Sequence, residues 1–435
     1  MTSRLWRDRR FRSLWAAQTV SQMGDRISEL AIPLLAVGAL HASAVQVSWL
    51  TALVWTPNLL AVLLGAWADR RASKRALIVA ADLARAALLL TVPAAALLGV
   101  LTLGQLCTVA LLTGLAGVVF GTAYPAFFAR LVPPASYVDA NSKLSASRSF
   151  SFVAGPALGG VLVQLLTAPF ALVADALSFL ASALLLRPVR VAEPPTASAA
   201  PPRLLRGARE GLSFVLSHPL LRAALGSATT VNFFTFLTGT GLLVLFAERD
   251  LGLAPGAIGL TFGVGAVGGV LGAVTAPAVS RLIGVGRGVA VGAVLFPAPY
   301  ALVWAASGPL WVRAAVLAAA EFLSSVGVML YDVNLNSLMA SVTPDHLRGR
   351  VAGAFSTVNY GVRPFGALAG GALATLLGLR PTITVAAAGG ALSVLWVLFS
   401  PIARTRTLDR AEGTGTPLSS SGREARPPES LKEEA

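Results

Sequence analysis

The chain repeats one pattern from end to end: apolar runs of nearly twenty residues, broken by short polar segments. Residues 50–66, 86–103, 108–120, 288–306, 314–322 and 383–400 are such runs, rich in Ala, Leu and Val. About 20 apolar residues in a helix span the hydrocarbon core of a bilayer. Hydrophobic residues make up 55% of the chain and charged residues only 12%, against about 25% charged in soluble domains. Within lipid every backbone N–H and C=O must be satisfied internally, which leaves helices or closed barrels. Barrel strands alternate polar and apolar over about ten residues. The continuous blocks here predict an all-α integral membrane protein.

The formal net charge is +14, but its distribution points to a membrane rather than nucleic acid. Arginines 4, 7, 9, 10 and 12 precede the first apolar segment, and Arg70, Arg71, Lys74 and Arg75 follow the second. Further basic groups fall at 187–209, 281–287, 348–350 and 404–410, while the loops at 41–45, 99–105 and 165–170 carry none. Basic residues thus mark every second loop, which by the positive-inside rule puts both termini in the cytoplasm. The basic start lacks the short apolar core and small-residue cleavage site of a signal peptide. The single cysteine, Cys107, excludes an internal disulfide and reads as apolar filler.

Length and punctuation give about twelve spans, at 13–39, 45–68, 76–99, 104–131, 142–166, 168–187, 219–247, 255–283, 287–307, 309–337, 349–377 and 381–400. A Pro- and Ala-rich linker follows the sixth, ending in a short amphipathic helix at 204–216 expected on the cytoplasmic surface. The polar tail reads as disordered. An internal repeat supports two halves: RLVPPASYVDANSKLSASRSFSFVAGPALGGVL at 130–162 and SVTPDHLRGRVAGAFSTVNYGVRPFGALAGGAL at 341–373 lie about 210 residues apart. The expected fold is two pseudo-symmetric six-helix halves, at 1–190 and 218–402, joined by the linker at 191–217 and followed by the tail at 403–435. Two parallel six-helix halves are a secondary-transporter plan with the substrate site between them near the midplane.

Several ionisable residues interrupt the spans. Asp25, Arg26 and Glu29 lie near the middle of the first. Glu29 sits about 6 Å further along the helix than Asp25 and on nearly the same face. Intramembrane charge is costly and usually functional. Carboxyls kept out of water and close together can take up and release a proton near neutral pH, the property a proton-coupled transporter needs. Arg26 points away from Asp25 and is free to pair with an acid on another span. Glu321 and Arg363 lie midway along the tenth and eleventh spans, placed to pair with each other, and Asp332 lies nearer the cytoplasmic end beside Tyr331 and Asn334. Asp82 and Arg85 share a face of the third span and read as structural gating. Asp175 and Arg148 stay unassigned. Trp55, Asn58, Asn232, Phe233 and Phe236 are candidates to line a cavity for an amphipathic ligand.

The stretch GAWADRRASKR at 65–75 resembles the signature loop of the major facilitator superfamily, and lies between the second and third spans as in that family. The resemblance implies the major facilitator fold and a cytoplasmic gate built on Gly65, Asp69, Arg70 and Arg75, with Asp69 engaging basic groups or a helix end near span eleven. In the second half Ser280 replaces the acid, which departs from the family pattern. The segment GPALGG, with Gly155, Pro156, Gly159 and Gly160, resembles the superfamily's antiporter motif. Its small residues permit close helix packing and its proline a bend. RFRSLWAAQTVSQMGDRISELAIPLLA, ADLARAALL, ARLVPPASYVDANS and ADALSFLASALLL look like the branch containing macrolide-efflux and enterobactin-export proteins.

Other readings fall away. GVGAVGG at 263–269 contains a Gly-x-Gly-x-x-Gly but lacks the preceding strand a dinucleotide site needs; inside a span it is a helix-packing face. No phosphate-binding Gly-x-x-x-x-Gly-Lys-Ser/Thr occurs. Tyr331-Asp332 and Gly24-Asp25 imitate an intramembrane aspartyl protease, but Gln22 stands where its second motif needs glycine. The three histidines, His41, His218 and His346, lack metalloprotease spacing, so no metal, cofactor or enzymatic activity is expected. The expected activity is proton-coupled export of amphipathic small molecules, drug- or macrolide-like, by a monomer in a bacterial cytoplasmic membrane. A siderophore or other secondary metabolite is the alternative cargo, and a non-transporting sensor is the remote one. Lipid, substrate and protons are the expected partners, and nucleic acid is not.

Overall fold

The computed structural model describes residues 4–191, 204–344 and 347–405. Every regular element among them is helical. The first six crossings are α1 (Arg9–Leu34), the pair α2 (Ala44–Trp55) and α3 (Ala61–Asp69), α4 (Lys74–Leu97), α5 (Leu103–Leu131), α6 (Tyr137–Leu166) and α7 (Ala168–Leu186). After α8 (Leu204–Ser217) come the pair α9 (Pro219–Phe236) and α10 (Gly239–Arg249), α11 (Pro255–Ile283), α12 (Val285–Leu295) with the 3-10 stretch Ala298–Ala305, and α13 (Leu310–Val342). The pair α14 (Arg348–Gly361) and α15 (Arg363–Leu377), then α16 (Leu379–Ala391) with α17 (Val394–Leu398), complete the set. Ten crossings are long and apolar enough to span a membrane by length and composition. The two that fall short, α1 and α14–α15, contain Asp25, Arg26, Glu29 and Arg363.

Local sequence sets the starts and breaks. Ser43 and Gln46 form a capping box at α2, and Ser73 and Thr102 cap α4 and α5, satisfying donors that have no partner within the helix. The second span is not the single helix expected: Pro57, which lacks an N–H, falls in a 3-10 segment, Thr56–Leu60, that separates α2 from α3. The expected surface helix at 204–216 is observed as α8, but it docks on the protein: Glu210 pairs with Arg350 at 2.8 Å and Gly211 rests on the Arg350 backbone. Residues 192–203 of the expected linker and 406–435 of the expected tail lie outside the described residues.

Burial follows the membrane pattern, with large apolar side chains facing outward; Phe399 is 87% and Leu376 79% exposed. The core is divided unevenly. At the end of the bundle away from the termini one continuous cluster joins both halves, from Ile27, Val47 and Leu172 to Leu243, Ile258 and Leu317. At the termini end each half keeps its own: Phe11, Ile78 and Phe127 in the first, Val289, Tyr331 and Val397 in the second. The apolar cores of the halves are joined at the far end and separate at the other.

The internal repeat is visible as packing. In α6, Gly155 and Gly159 lie against Arg26 and Ile27 of α1, within the same half, while Gly160 meets Gly259 and Pro255 of α11 across the interface. About 210 residues later the roles recur: Gly366 and Gly370 lie against Phe233 and Leu237, and Gly371 meets Ser48 and Val45 of α2. GPALGG and GALAGG thus seal the far end by the same pseudo-symmetric contact, backbone on backbone as small residues allow. Arg249 adds a polar link, donating to the Ala42 carbonyl at 2.9 Å.

Candidate functional site

Beneath this seal lies a cavity of about 230 Å³ between the halves. Arg26, Glu29, Phe152 and Pro156 line it from the first half, and Phe236, Phe262, Phe296, Tyr300 and Glu321 from the second. Four phenylalanines, with two separate acids and a few hydroxyl side chains, suit an amphipathic guest, since apolar walls with a few placed polar groups are the usual make-up of a ligand site. Arg26 and Glu29 form an ion pair at 2.6 Å on their own helix. The expectation that Arg26 reaches an acid on another span is therefore corrected: i,i+3 neighbours meet on one helical face. The Arg26 guanidinium also lies 5.1 Å from the centre of the Phe152 ring, close enough for cation–π attraction.

Asp25 points the other way, to α4. It lies 3.7 Å from Arg85, which is 3.2 Å from Asp82. Asp82 is fully buried and accepts from Ser182 of α7 at 2.7 Å. Arg85 is further held between the rings of Phe179, at 4.4 Å, and Phe120, at 5.0 Å. Asp82 and Arg85, expected in the cytoplasmic gate, thus sit inside the first half against α7 and α1. Asp175, left unassigned from sequence, belongs to the same neighbourhood. It is buried and accepts hydrogen bonds from Ser28 of α1 and, at 3.0 Å, from Ser178. Gly24 makes room for it, because a side chain there would strike Asp175 and Ser178. Two carboxyls, Asp25 of α1 and Asp82 of α4, therefore share the Arg85 guanidinium, while Asp175 of α7 is held beside α1 by serines. A lone acid in the apolar run of α7 was the available signal for Asp175; its partners come only from packing.

The expected pairing of Glu321 with Arg363 is not formed. Glu321 accepts from Tyr300 Oη at 3.2 Å. Arg363 instead donates its Nε to Asn232 at 2.9 Å and stacks on Trp55, Tyr360 and Phe236, at 4.1, 4.3 and 4.7 Å from their ring centres. Trp55 belongs to the first half, so this cage also bridges the halves. A planar guanidinium suits such stacking as an ammonium does not. Of the expected cavity-lining set only Phe236 borders the cavity. Trp55 and Asn232 serve Arg363, Asn58 bonds the Trp55 carbonyl at 3.1 Å, and Phe233 packs edge-on to Phe234. Asp332 is exposed towards the termini end; its neighbours Tyr331 and Asn334 bond Ser227 and Ser280 at 2.9 and 2.5 Å.

At the signature loop Gly65 packs on Thr122 of α5, Arg70 is exposed, and Arg75 donates to the Arg187 carbonyl at 2.6 Å. The Asp69 side chain lies outside the described residues. In the second half Ser280, which stands in place of the acid, ties α11 to Asn334 of α13. The glycines of GVGAVGG are a packing face as expected: Gly265 and Gly268 lie against Glu321 and Phe322 of α13.

Comparison with known proteins fits this geometry. The profile of the Major Facilitator Superfamily matches residues 14–363 and 230–431. The multidrug efflux pump Tap of Mycolicibacterium fortuitum is 27% identical over 407 residues, covering 92% of this chain and 96% of Tap. Among solved structures, the nucleoside transporter NupG overlays with a TM-score of 0.69 at 12% identity, covering 91% of this chain and 98% of its own. A bacterial homologue of the iron transporter ferroportin overlays at 0.65 in its inward-facing state, with 19% identity and 90% and 98% coverage. The same homologue in its outward-facing state overlays at 0.54, with 19% identity and 89% and 98% coverage. A helical bundle of two repeated halves, a cavity between them and a profile matching along the whole length agree: this chain is a multi-pass membrane transporter, not an enzyme, and belongs to the Major Facilitator Superfamily.

Proposed function

We propose that the protein exports amphipathic small molecules, drug- or macrolide-like, in exchange for protons. The carrying observation is the cavity, walled by aromatic rings and acids, sealed at the far end and lying between halves whose cores separate at the termini end. With the termini in the cytoplasm of a bacterial inner membrane, this is a state that loads from inside. Rocking of residues 1–190 against 218–402 would break the glycine seal and open the cavity outward. The protein would do this as a monomer. The similarity to Tap supports export over uptake.

Proton coupling rests on the cluster of Asp25, Asp82, Asp175 and Arg85. One guanidinium serves both Asp25 and Asp82, and Asp175 has only serine partners, so the set can gain or lose a proton as its surroundings change. Asp25, with its side chain half exposed, gives the cluster access to water, and Glu29 lies one turn further along α1 at the cavity. The test is efflux from proteoliposomes driven by an imposed pH gradient. Asp25→Asn with Glu29→Gln abolishes gradient-driven efflux while leaving downhill exchange; unchanged gradient-driven efflux refutes proton coupling at these acids.

A further inference from the structure

The two acids of the cavity wall differ in one respect. Glu29 already holds a cation, Arg26, at 2.6 Å. Glu321 has none: no Lys, Arg or His among the described residues lies within ion-pair distance of it. Among the described residues its hydrogen bond comes from Tyr300, a neutral donor. Yet Glu321 is 6% exposed and lines the cavity. A nearly buried carboxylate is unfavourable as long as no cation pairs with it, so a bound cation would stabilise its charged form.

The surroundings hold this carboxyl in place. A side chain at Gly265 would put a carbon 2.8 Å from Glu321 Cβ, so the bare backbone of α11 fixes how α13 presents the residue. Ser324, one turn on, donates to the Phe296 carbonyl at 2.6 Å and ties the segment carrying Phe296 and Tyr300 to the same helix. Phe262, Phe296 and Phe236 supply ring surface in the same cavity. A fixed carboxylate facing aromatic rings is the chemistry that recognises an organic cation: opposite charge on one side and ring quadrupoles on the others.

We propose that Glu321, oriented by Tyr300, is the cation-recognising subsite of this transporter, selecting aromatic organic monocations over neutral amphipaths of similar size. The assignment rests on the export reading and deepens it. It divides the labour between the halves: Glu321 in the second half reads substrate charge, and the Asp25 cluster in the first handles protons.

The probes are ethidium, a permanent aromatic monocation, and N-phenyl-1-naphthylamine, a neutral aromatic amphipath. Binding is read by fluorescence titration of the purified full-length protein, and efflux of each probe is read in proteoliposomes. Glu321→Gln weakens ethidium binding about tenfold or more and changes naphthylamine binding less than about twofold. Tyr300→Phe weakens ethidium binding by less, and Glu321→Asp restores the cation preference in part. Equal loss of both probes in a monodisperse Glu321→Gln protein overturns the proposal, as does unchanged ethidium binding. If wild type exports both probes and Glu321→Gln exports both alike, the export reading stands and the subsite falls. If wild type binds neither probe, both fall together.

Discussion

Replacing Gly160 by alanine tests how the far end is held shut. A Cβ at 160 would lie 2.7 Å from Gly259 Cα and 2.7 Å from the Pro255 carbonyl, where ordinary contacts begin at 3.4 Å. The two backbones must part by somewhat under about 1 Å, and overpacking of this order costs about 1–3 kcal/mol. The strain falls only on the state in which α6 and α11 touch, so it shifts the equilibrium towards the open far end by about 5- to 150-fold. From a sealed-to-open ratio of about 99 to 1 the open share rises to between about 5% and 60%. The assay is pulsed electron–electron distance measurement between spin labels at Leu165 and Leu376, exposed at the far ends of α6 and α15, with Cys107→Ser removing the native thiol. A longer distance gains amplitude in Gly160→Ala. Gly117→Ala is the control: nothing lies within 4 Å of a Cβ there, so it leaves the distribution unchanged. A Gly160→Ala distribution superimposable on wild type, or a Gly117→Ala shift as large, refutes the glycine seal.

Other perturbations follow from the same geometry. Gly371→Ala, which meets Ser48 and Val45, shifts the same distances in the same direction as Gly160→Ala. Arg363→Lys keeps the charge but loses the guanidinium plane stacked on three rings and the Nε bond to Asn232; with cation–π contacts worth up to about 2 kcal/mol, the thermal unfolding midpoint in detergent falls. Arg85→Leu leaves Asp82, fully buried, with Ser182 and no cation; removing one partner of a buried pair costs about 3–5 kcal/mol, so thermal stability drops far more than in Arg70→Leu at the exposed loop.

Much of the fold was legible because the membrane imposes it. Apolar run length counts crossings, and basic residues in alternate loops follow the two faces. GVGAVGG packs against α13, as a glycine face inside a span does. The individual contacts of the polar residues were less legible. Arg26 is free by sequence to pair with an acid on another span, and in the structure it pairs with Glu29 on its own helix. Glu321 and Arg363 were expected to meet and did not: Tyr300 reaches the first from a 3-10 turn, and Asn232 with three rings encloses the second.

The sequence by itself determined an all-helical membrane bundle of two repeated halves, because hydrophobic run length and repeated small-residue segments are one-dimensional signals. Only the tertiary structure decided which charges share a site. It paired Asp25 and Asp82 with Arg85 and set Asp175 against serines of α1 and α7, and it left Glu321 at the cavity with no cation among the described residues. The physical reason is that a helix turns by 3.6 residues. A residue's position along the chain fixes its depth in the bilayer, but its partner depends on how each helix is rotated and on which helix packs beside it.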